Sequence, residues 1–123
     1  MSSVNAITVS ACVAVGALGV AASARAAFLE WSRFDVKTSS ERVCMRFAAD
    51  VARQKNLQNI RIIPIEVAGV RGSVYVSITC IGRSNQPAVA MVITASDDNN
   101  AATSTRNDIA AALKGMTCFD ACN

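Results

Sequence analysis

The chain has 123 residues, of which 52% are hydrophobic and 17% are charged, and this length gives room for one domain. A formal net charge of +3 is too small for a strongly basic nucleic-acid-binding protein, and the apolar content excludes a disordered chain. No Lys, Arg, Asp or Glu precedes Arg25. The N-terminal segment and the remainder are therefore segments of different kinds.

The N-terminal segment has the order of a secretory leader, in which an apolar run is followed by small side chains. Ala24 and Ala26 fit the pockets of a signal peptidase, which predicts a signal peptide over residues 1–26, cleaved after Ala26. The alternative is an uncleaved membrane helix, whose flanking Arg25 and Arg33 would hold the domain in the cytoplasm. We expect cleavage, and export to the periplasm or the exterior. The membrane is then a partner only through an uncleaved leader.

The remaining residues 27–123 are predicted to form a single domain that begins with a strand. Residues 28–36 are rich in aromatic and β-branched residues, which favour strands. Side chains alternate between the two faces of a strand, so Trp31 and Phe34, which are three residues apart, would lie on opposite faces of a regular strand. We therefore predict a bulge at residues 32–33.

A first helix is predicted from the capping-box spacing of Thr38 and Glu41 to about Asn56. Its inward stripe consists of apolar residues three and four apart: Val43, Cys44, Phe47, Ala48 and Val51. The opposite side carries an arginine stripe that has the form of a phosphate- or carboxylate-binding site: Arg42, Arg46 and Arg53. Asp50 has the spacing to pair with Arg46, so a solvated helix face is the favoured interpretation.

Three further strands are predicted after this helix. The first covers residues 60–67 and contains Pro64, which restricts it to an edge or a bulge. Two glycines in residues 68–72 predict a turn, and residues 73–81 alternate cleanly between apolar and polar side chains. A short polar turn then leads to an antiparallel strand over residues 88–95.

Within the alternating strand, one face is predicted to be buried and the other wet. The inward residues are Val74, Val76, Ile78 and Cys80, and the outward residues are Tyr75, Ser77 and Thr79. A final helix follows the loop over residues 96–100, with Gly115 as its C-cap residue. The order β-α-β-β-β-α predicts an α+β two-layer sandwich, with two helices on one face of a four-stranded, largely antiparallel sheet.

Cysteine usage agrees with export. Removal of Cys12 with the leader leaves an even number of cysteines: Cys44, Cys80, Cys118 and Cys122. A bridge from Cys44 to Cys80 would join the first helix to the sheet, and Cys118 and Cys122 would pair locally. The three-residue spacing of the last pair is unlike a redox motif, and no set of four zinc ligands is evident, so structural disulfides are the favoured reading.

The absence of histidine from the whole chain excludes Ser-His-Asp and Cys-His hydrolysis. Asp97 and Asp98 lie in a polar loop, where carboxylates usually serve turns and helix caps rather than catalysis or calcium binding. The sequence therefore predicts no catalytic residue, no metal site and no cofactor. Tyr75 on the wet face, with Trp31 beside it, is the best candidate for contact with a partner.

The position of Cys44 in a first helix, the glycine turn before a strand that ends at Cys80, and the final helix resemble a group of small exported bacterial proteins of unknown function. These consist of a signal peptide and one α+β domain, and the resemblance covers residues 28–116. It implies a fold and a location. It implies no catalytic or binding residues, and the Cys118 to Cys122 tail is an addition to the pattern.

The function that these observations predict is that of an exported, disulfide-stabilised, non-enzymatic binding domain. Its partner is a protein or a small ligand, bound on the uncovered sheet face near Tyr75. One alternative is a membrane-anchored accessory subunit that keeps its N-terminal helix. Another is an enzyme that uses carboxylates such as Asp97 and Asp98.

Overall fold

The computed structural model describes residues 27–118, which form an antiparallel sheet and two helices. The predicted α+β class is confirmed. In chain order the elements are β1 (Phe28–Asp35), α1 (Glu41–Gln54), β2 (Gln58–Ile63), β3 (Glu66–Arg71), β4 (Val74–Arg83), β5 (Gln86–Ser96) and α2 (Asn99–Gly115). The predicted signal peptide over residues 1–26 lies outside the described residues.

The sheet has five strands in the order β1-β5-β4-β3-β2, so the predicted four strands and their order were wrong. The run predicted as one strand is divided at Pro64, which stands in a two-residue turn, and Ile63 pairs with Glu66 across that turn. Proline has no N–H to donate to a ladder, but its fixed φ suits a turn.

The predicted turn over residues 68–72 is correct only at Gly72, because residues 68–71 belong to β3. Gly69 lies inside that strand, where an added Cβ would stand 3.0 Å from the carbonyl oxygen of Gln58. Close backbone approach, rather than chain reversal, explains this glycine. The reversal occurs at Gly72, whose φ of +59° is a conformation that glycine adopts without strain.

Strand β1 contains no bulge, contrary to prediction. Its register against β5 runs without a break from Phe28 opposite Ser96 to Asp35 opposite Val89. Phe34 therefore points toward the helices, while Trp31 points to the other side of the sheet. The change of parity in the sequence marks a strand with apolar side chains on both faces.

The helices begin at caps that differ in part from those predicted. The Ser40 hydroxyl accepts from the Val43 amide at 3.2 Å and caps α1, whereas the Glu41 carboxylate accepts from the Gly82 amide at 3.1 Å. The capping box from Thr38 to Glu41 is therefore not formed. Asp98 caps α2 by accepting from the Ala101 amide at 3.2 Å, as expected for a loop carboxylate.

The C-cap residue of α2 is Met116 rather than the predicted Gly115. Its backbone N–H bonds to the carbonyl oxygen of Leu113 at 3.2 Å. Met116 has a φ of −66°, which any residue can adopt, so this helix ends without the left-handed conformation for which glycine is favoured.

Both helices pack on one face of the sheet. Helix α1 connects β1 at one edge to β2 at the other, and the predicted disulfide from Cys44 in α1 to Cys80 in β4 is confirmed, with a Cα–Cα distance of 6.0 Å. Helix α2 is fixed to β5 by the buried Thr94 hydroxyl, which donates to the Ala102 carbonyl at 2.8 Å. The fully buried side chains between the layers include Val43, Val51, Val76, Ile78, Val92, Ile109 and Leu113.

Neither helix of the described chain combines the length and the apolar character that crossing a membrane requires.

Candidate functional site: the open face of the sheet

The face of the sheet opposite the two helices is covered by no other described element, and we name it the open face. The strand registers place the side chains on it in cross-strand rows, because directly paired residues point to the same side. Its residues are Leu29, Trp31, Arg33, Asp35, Gln58, Arg61, Ile63, Glu66, Ala68, Val70, Tyr75, Ser77, Thr79, Ile81, Val89, Met91, Ile93 and Ala95.

Large apolar side chains on this face are exposed to solvent. Leu29 is 65% exposed, Trp31 61%, Ile81 50% and Tyr75 39%. A monomeric soluble domain rarely leaves several such side chains together at one surface, and a contiguous exposed apolar patch marks an interaction site. The open face therefore carries the strongest signal for binding in the described structure.

One row crosses the face from Trp31 on β1 through Ile93 and Ser77 to Ala68 on β3. Bulky side chains stand at the β1 end of this row and small ones at the β3 end. Ala68 is only 2% exposed. Arg61 on β2 reaches over β3 and donates from Nη2 to the Tyr75 hydroxyl at 3.4 Å, so its long side chain lies across the small residue.

The neighbouring row has Leu29 on β1, Ala95 on β5, Tyr75 on β4 and Val70 on β3. In the first row the larger of the two central residues is on β5, whereas in this row the small residue is on β5 and the aromatic ring is on β4. The two rows together give the face a relief of high and low points rather than a concave pocket.

Two opposite charges stand at the two sides of the next row. Arg33 is on β1 and Glu66 is on β3, with Met91 and Thr79 between them. Within the described part of the chain, neither side chain forms an ion pair. Three strand spacings of about 4.8 Å separate them, so they are too far apart to pair within one molecule.

The second acidic group of the face, at its end, is already paired. Asp35 accepts from the Arg83 guanidinium at 2.8 Å, and Arg83 also donates to the Pro87 carbonyl at 2.6 Å. This contact ties β1 to the β4–β5 hairpin. The charged residues of the face without an ion pair among the described residues are Arg33, Arg61 and Glu66.

The fold brings together Trp31 and Tyr75, which the sequence predicted as contact residues, but with β5 between them. It places Arg42, Arg46 and Arg53 on the exposed side of α1, on the other side of the molecule. Asp50 pairs there with Arg53, at 3.4 Å between exposed side chains. The arginine stripe and the aromatic pair are therefore not parts of one site.

A separate cluster on the helix side of the molecule joins three elements through charge. The Asp108 carboxylate in α2 accepts from Lys55, just after α1, and from Arg71 at the end of β3, each at 2.7 Å. Hydrogen bonds from Lys55 and then from Arg71 lower the pKa of Asp108 below its ordinary value. This arrangement holds an ionised carboxylate and acts as a tie between the layers.

The described residues hold no group of three His, Cys, Asp or Glu side chains arranged to bind a metal ion. Asp98 is engaged as a helix cap. The predicted bridge between Cys118 and Cys122 falls on Cys122, which lies outside the described residues, and it stays a prediction.

No protein-family model matches the chain, and no curated protein sequence matches it significantly.

Sequence reasoning missed most of the open face, because it expected apolar side chains to be covered. Leu29, Met91, Ile93 and Ile81 were not singled out, nor were Arg33 and Glu66 as charges of a contact surface. One signal was present in the sequence: residues 88–95 are apolar almost without interruption. A strand of that kind has apolar side chains on both faces.

Proposed function

We propose that this protein is an exported, disulfide-stabilised binding domain, without enzymatic activity, that recognises a protein partner through the open face. The observation that carries the proposal is the exposure of Leu29, Trp31 and Tyr75 on neighbouring rows of one sheet face. Exposed aromatic rings contribute much of the energy of protein interfaces.

The shape of the face favours a protein over a small ligand. Small-molecule sites are concave and enclose most of the ligand, whereas this face is an open sheet surface. An apolar patch bordered by charges such as Arg33 and Glu66 has the composition of a protein interface, with an apolar centre and a polar rim.

Export is supported by the disulfide between Cys44 and Cys80, since such bonds persist in oxidising compartments. The apolar leader predicted over residues 1–26 is the second support. The mature protein would then meet its partner in the periplasm or outside the cell.

Site-specific photo-crosslinking tests the proposed surface. A photoreactive amino acid is introduced in place of Trp31, and in a matched control in place of Arg42 on the exposed side of α1. In cells that produce and export the protein, irradiation is expected to give an adduct of defined mass from the first variant and none from the second. Equal labelling of both positions, or no adduct from either, would contradict the proposal.

Intact-mass measurement tests export separately. The purified protein is expected to begin at Ala27 and to gain four mass units on reduction, two for each disulfide. A product that retains residues 1–26 and has all its thiols free would contradict an exported, oxidised protein.

A further inference from the structure

We propose that the partner on the open face is a second copy of this chain, packed face to face about a two-fold axis that runs along the strands between β4 and β5. The inference rests on the proposed function, because it names the occupant of the same surface. It comes from a self-complementarity in the rows of the face.

The axis fixes which strands meet. The strand order β1-β5-β4-β3 is symmetric about the line between β5 and β4. Rotation about that line places β1 over the partner's β3 and β5 over the partner's β4. Because the axis is parallel to the strands, the rotation does not move residues along the strand direction, and each cross-strand row faces the same row of the partner. Every residue therefore meets the residue at the far side of its own row.

The sizes of the side chains match across this axis. Ile93 meets the partner's Ser77, and Tyr75 meets the partner's Ala95, so that in these two rows a large side chain faces a small one beside the axis. Trp31, the most exposed aromatic residue in the described part of the chain, lies over the partner's buried Ala68. Interdigitation of this kind is what packs the inner faces of two sheets.

The charges match as well. Arg33 meets the partner's Glu66, and the symmetry repeats the pair on the other side of the interface. Both groups lack an ion-pair partner among the described residues of one chain. The two-fold arrangement supplies a partner of opposite charge to each.

Arg61 adds a contact at the same place. Its guanidinium lies toward Tyr75 across Ala68, which is where the partner's Trp31 arrives. A guanidinium over an indole ring gives a favourable cation–π interaction. Because Ala68 is itself buried, the partner's Trp31 packs on the arginine above it.

The size of the face is adequate for a dimer. The four strands that overlap across this axis, about 4.8 Å apart and with side-chain rows over roughly 25 Å of strand, give a projected area on the order of 500 Å². Stable interfaces bury about 800 Å² of accessible surface per partner, and accessible area exceeds projected area on a surface with relief. Aligned sheets cross at about 30°, so the best contacts lie near the axis.

Charge reversal provides the specific test. The mass of the purified wild-type protein in solution is measured by sedimentation velocity over a wide concentration range, and a dimer is expected. Arg33→Glu and Glu66→Arg are each expected to weaken association at least about tenfold, because they place like charges opposite each other at two symmetric positions. The double variant Arg33→Glu/Glu66→Arg is expected to restore the dimer.

Rescue by the double variant cannot arise inside one chain, because two strands separate Arg33 from Glu66. The matched control is Arg42→Glu on the exposed side of α1, which is expected to leave association unchanged. A wild-type monomer at all concentrations, or a double variant that stays dissociated, overturns the inference.

Trp31 fluorescence gives a second readout that needs no variant. Trp31 is the only tryptophan of the chain, so its emission reports directly on this surface. Dilution through the dissociation range is expected to shift the emission to longer wavelength as the ring becomes exposed. Emission that stays unchanged while the dimer dissociates would place the interface elsewhere.

The outcomes separate the two proposals. A monomeric wild-type protein that still forms a photo-adduct of another mass at Trp31 removes the self-association and leaves the binding function intact. The absence of any adduct at Trp31 removes both.

Discussion

The two faces of the sheet are built from the same strands, but one is buried under the helices and the other is exposed to solvent. On β4, Ile78 points toward the helices and is fully buried, whereas Ile81 points to the open face and is half exposed. The covered face is close-packed, and its polar Thr94 is satisfied by a buried hydrogen bond to Ala102. The open face combines large apolar groups with charges. Stability therefore resides on the covered face, and the open face is available for binding.

The largest expected effect concerns the disulfide that links the layers of the covered side. Replacing both cysteines, Cys44→Ala/Cys80→Ala, should lower the free energy of unfolding by about 3 to 4 kcal/mol, because the bond closes a loop with a sequence separation of 36. Urea denaturation of oxidised wild type and variant measures the difference. Equal stability of the two would mean that the bond contributes nothing to the covered side.

Two isoleucines of β4, one on each face of the sheet, allow a direct comparison of how much each face contributes to stability. Ile78→Ala should cost about 3 kcal/mol, because it leaves a cavity in the packed layer. Ile81→Ala should cost under about 1 kcal/mol, since half of that side chain is already in water. Both are measured by urea denaturation at a concentration below dimer formation. Similar losses in the two variants would break the distinction between the faces.

The tie at Asp108 should contribute less, and in a pH-dependent way. Asp108→Asn removes the acceptor for Lys55 and Arg71, and because these groups are about one third exposed, the loss should be about 1 kcal/mol near neutral pH. The pKa of Asp108 is lowered in the folded protein, so this stabilisation is complete above the unfolded pKa of about 4 and is lost as the pH falls through the folded value.

Denaturation curves of wild type and Asp108→Asn should therefore converge in acid. The matched control is Asp50→Asn, whose single contact with Arg53 is exposed and should contribute about 0.3 kcal/mol. A difference between wild type and Asp108→Asn that grew on acidification would contradict the proposed tie.

The smallest effect on the stability of the single chain is expected at the β1 edge of the open face. Trp31→Thr keeps a residue that favours strands and should change the free energy of unfolding by less than about 0.5 kcal/mol at low concentration. At concentrations where wild type is a dimer, only wild type should gain stability from association. A large loss for the variant at low concentration would show that Trp31 supports the fold of the single chain.

The helices and most strands were predictable from the sequence, but the set of residues that share each face of the sheet was not. The inward stripe of α1 and the alternation on β4 were correct, because one buried face imposes a period that a single chain displays. The run around Pro64 was read as one strand, since β-branched residues on both sides of a two-residue turn look continuous. Gly69 was assigned to a turn because close backbone approach leaves no separate sequence signature.

The parity change in β1 is the most instructive error. The predicted bulge would place Trp31 and Phe34 on the same, buried face of the sheet. The unbroken register against β5 leaves Trp31 exposed on the open face. The conflict in the pattern was itself the evidence for a second apolar face.

The sequence by itself determined the leader-like N-terminus as a prediction, the two helices, the alternating strand and the pairing of Cys44 with Cys80. Each of these depends on neighbours in the chain or on a small number of cysteines. Only the tertiary structure decided that β1 lies beside β5, and therefore that Trp31, Ser77 and Ala68 share one row. Strand order is set by contacts between distant segments, so the surface on which the proposed function depends exists only once the sheet has assembled.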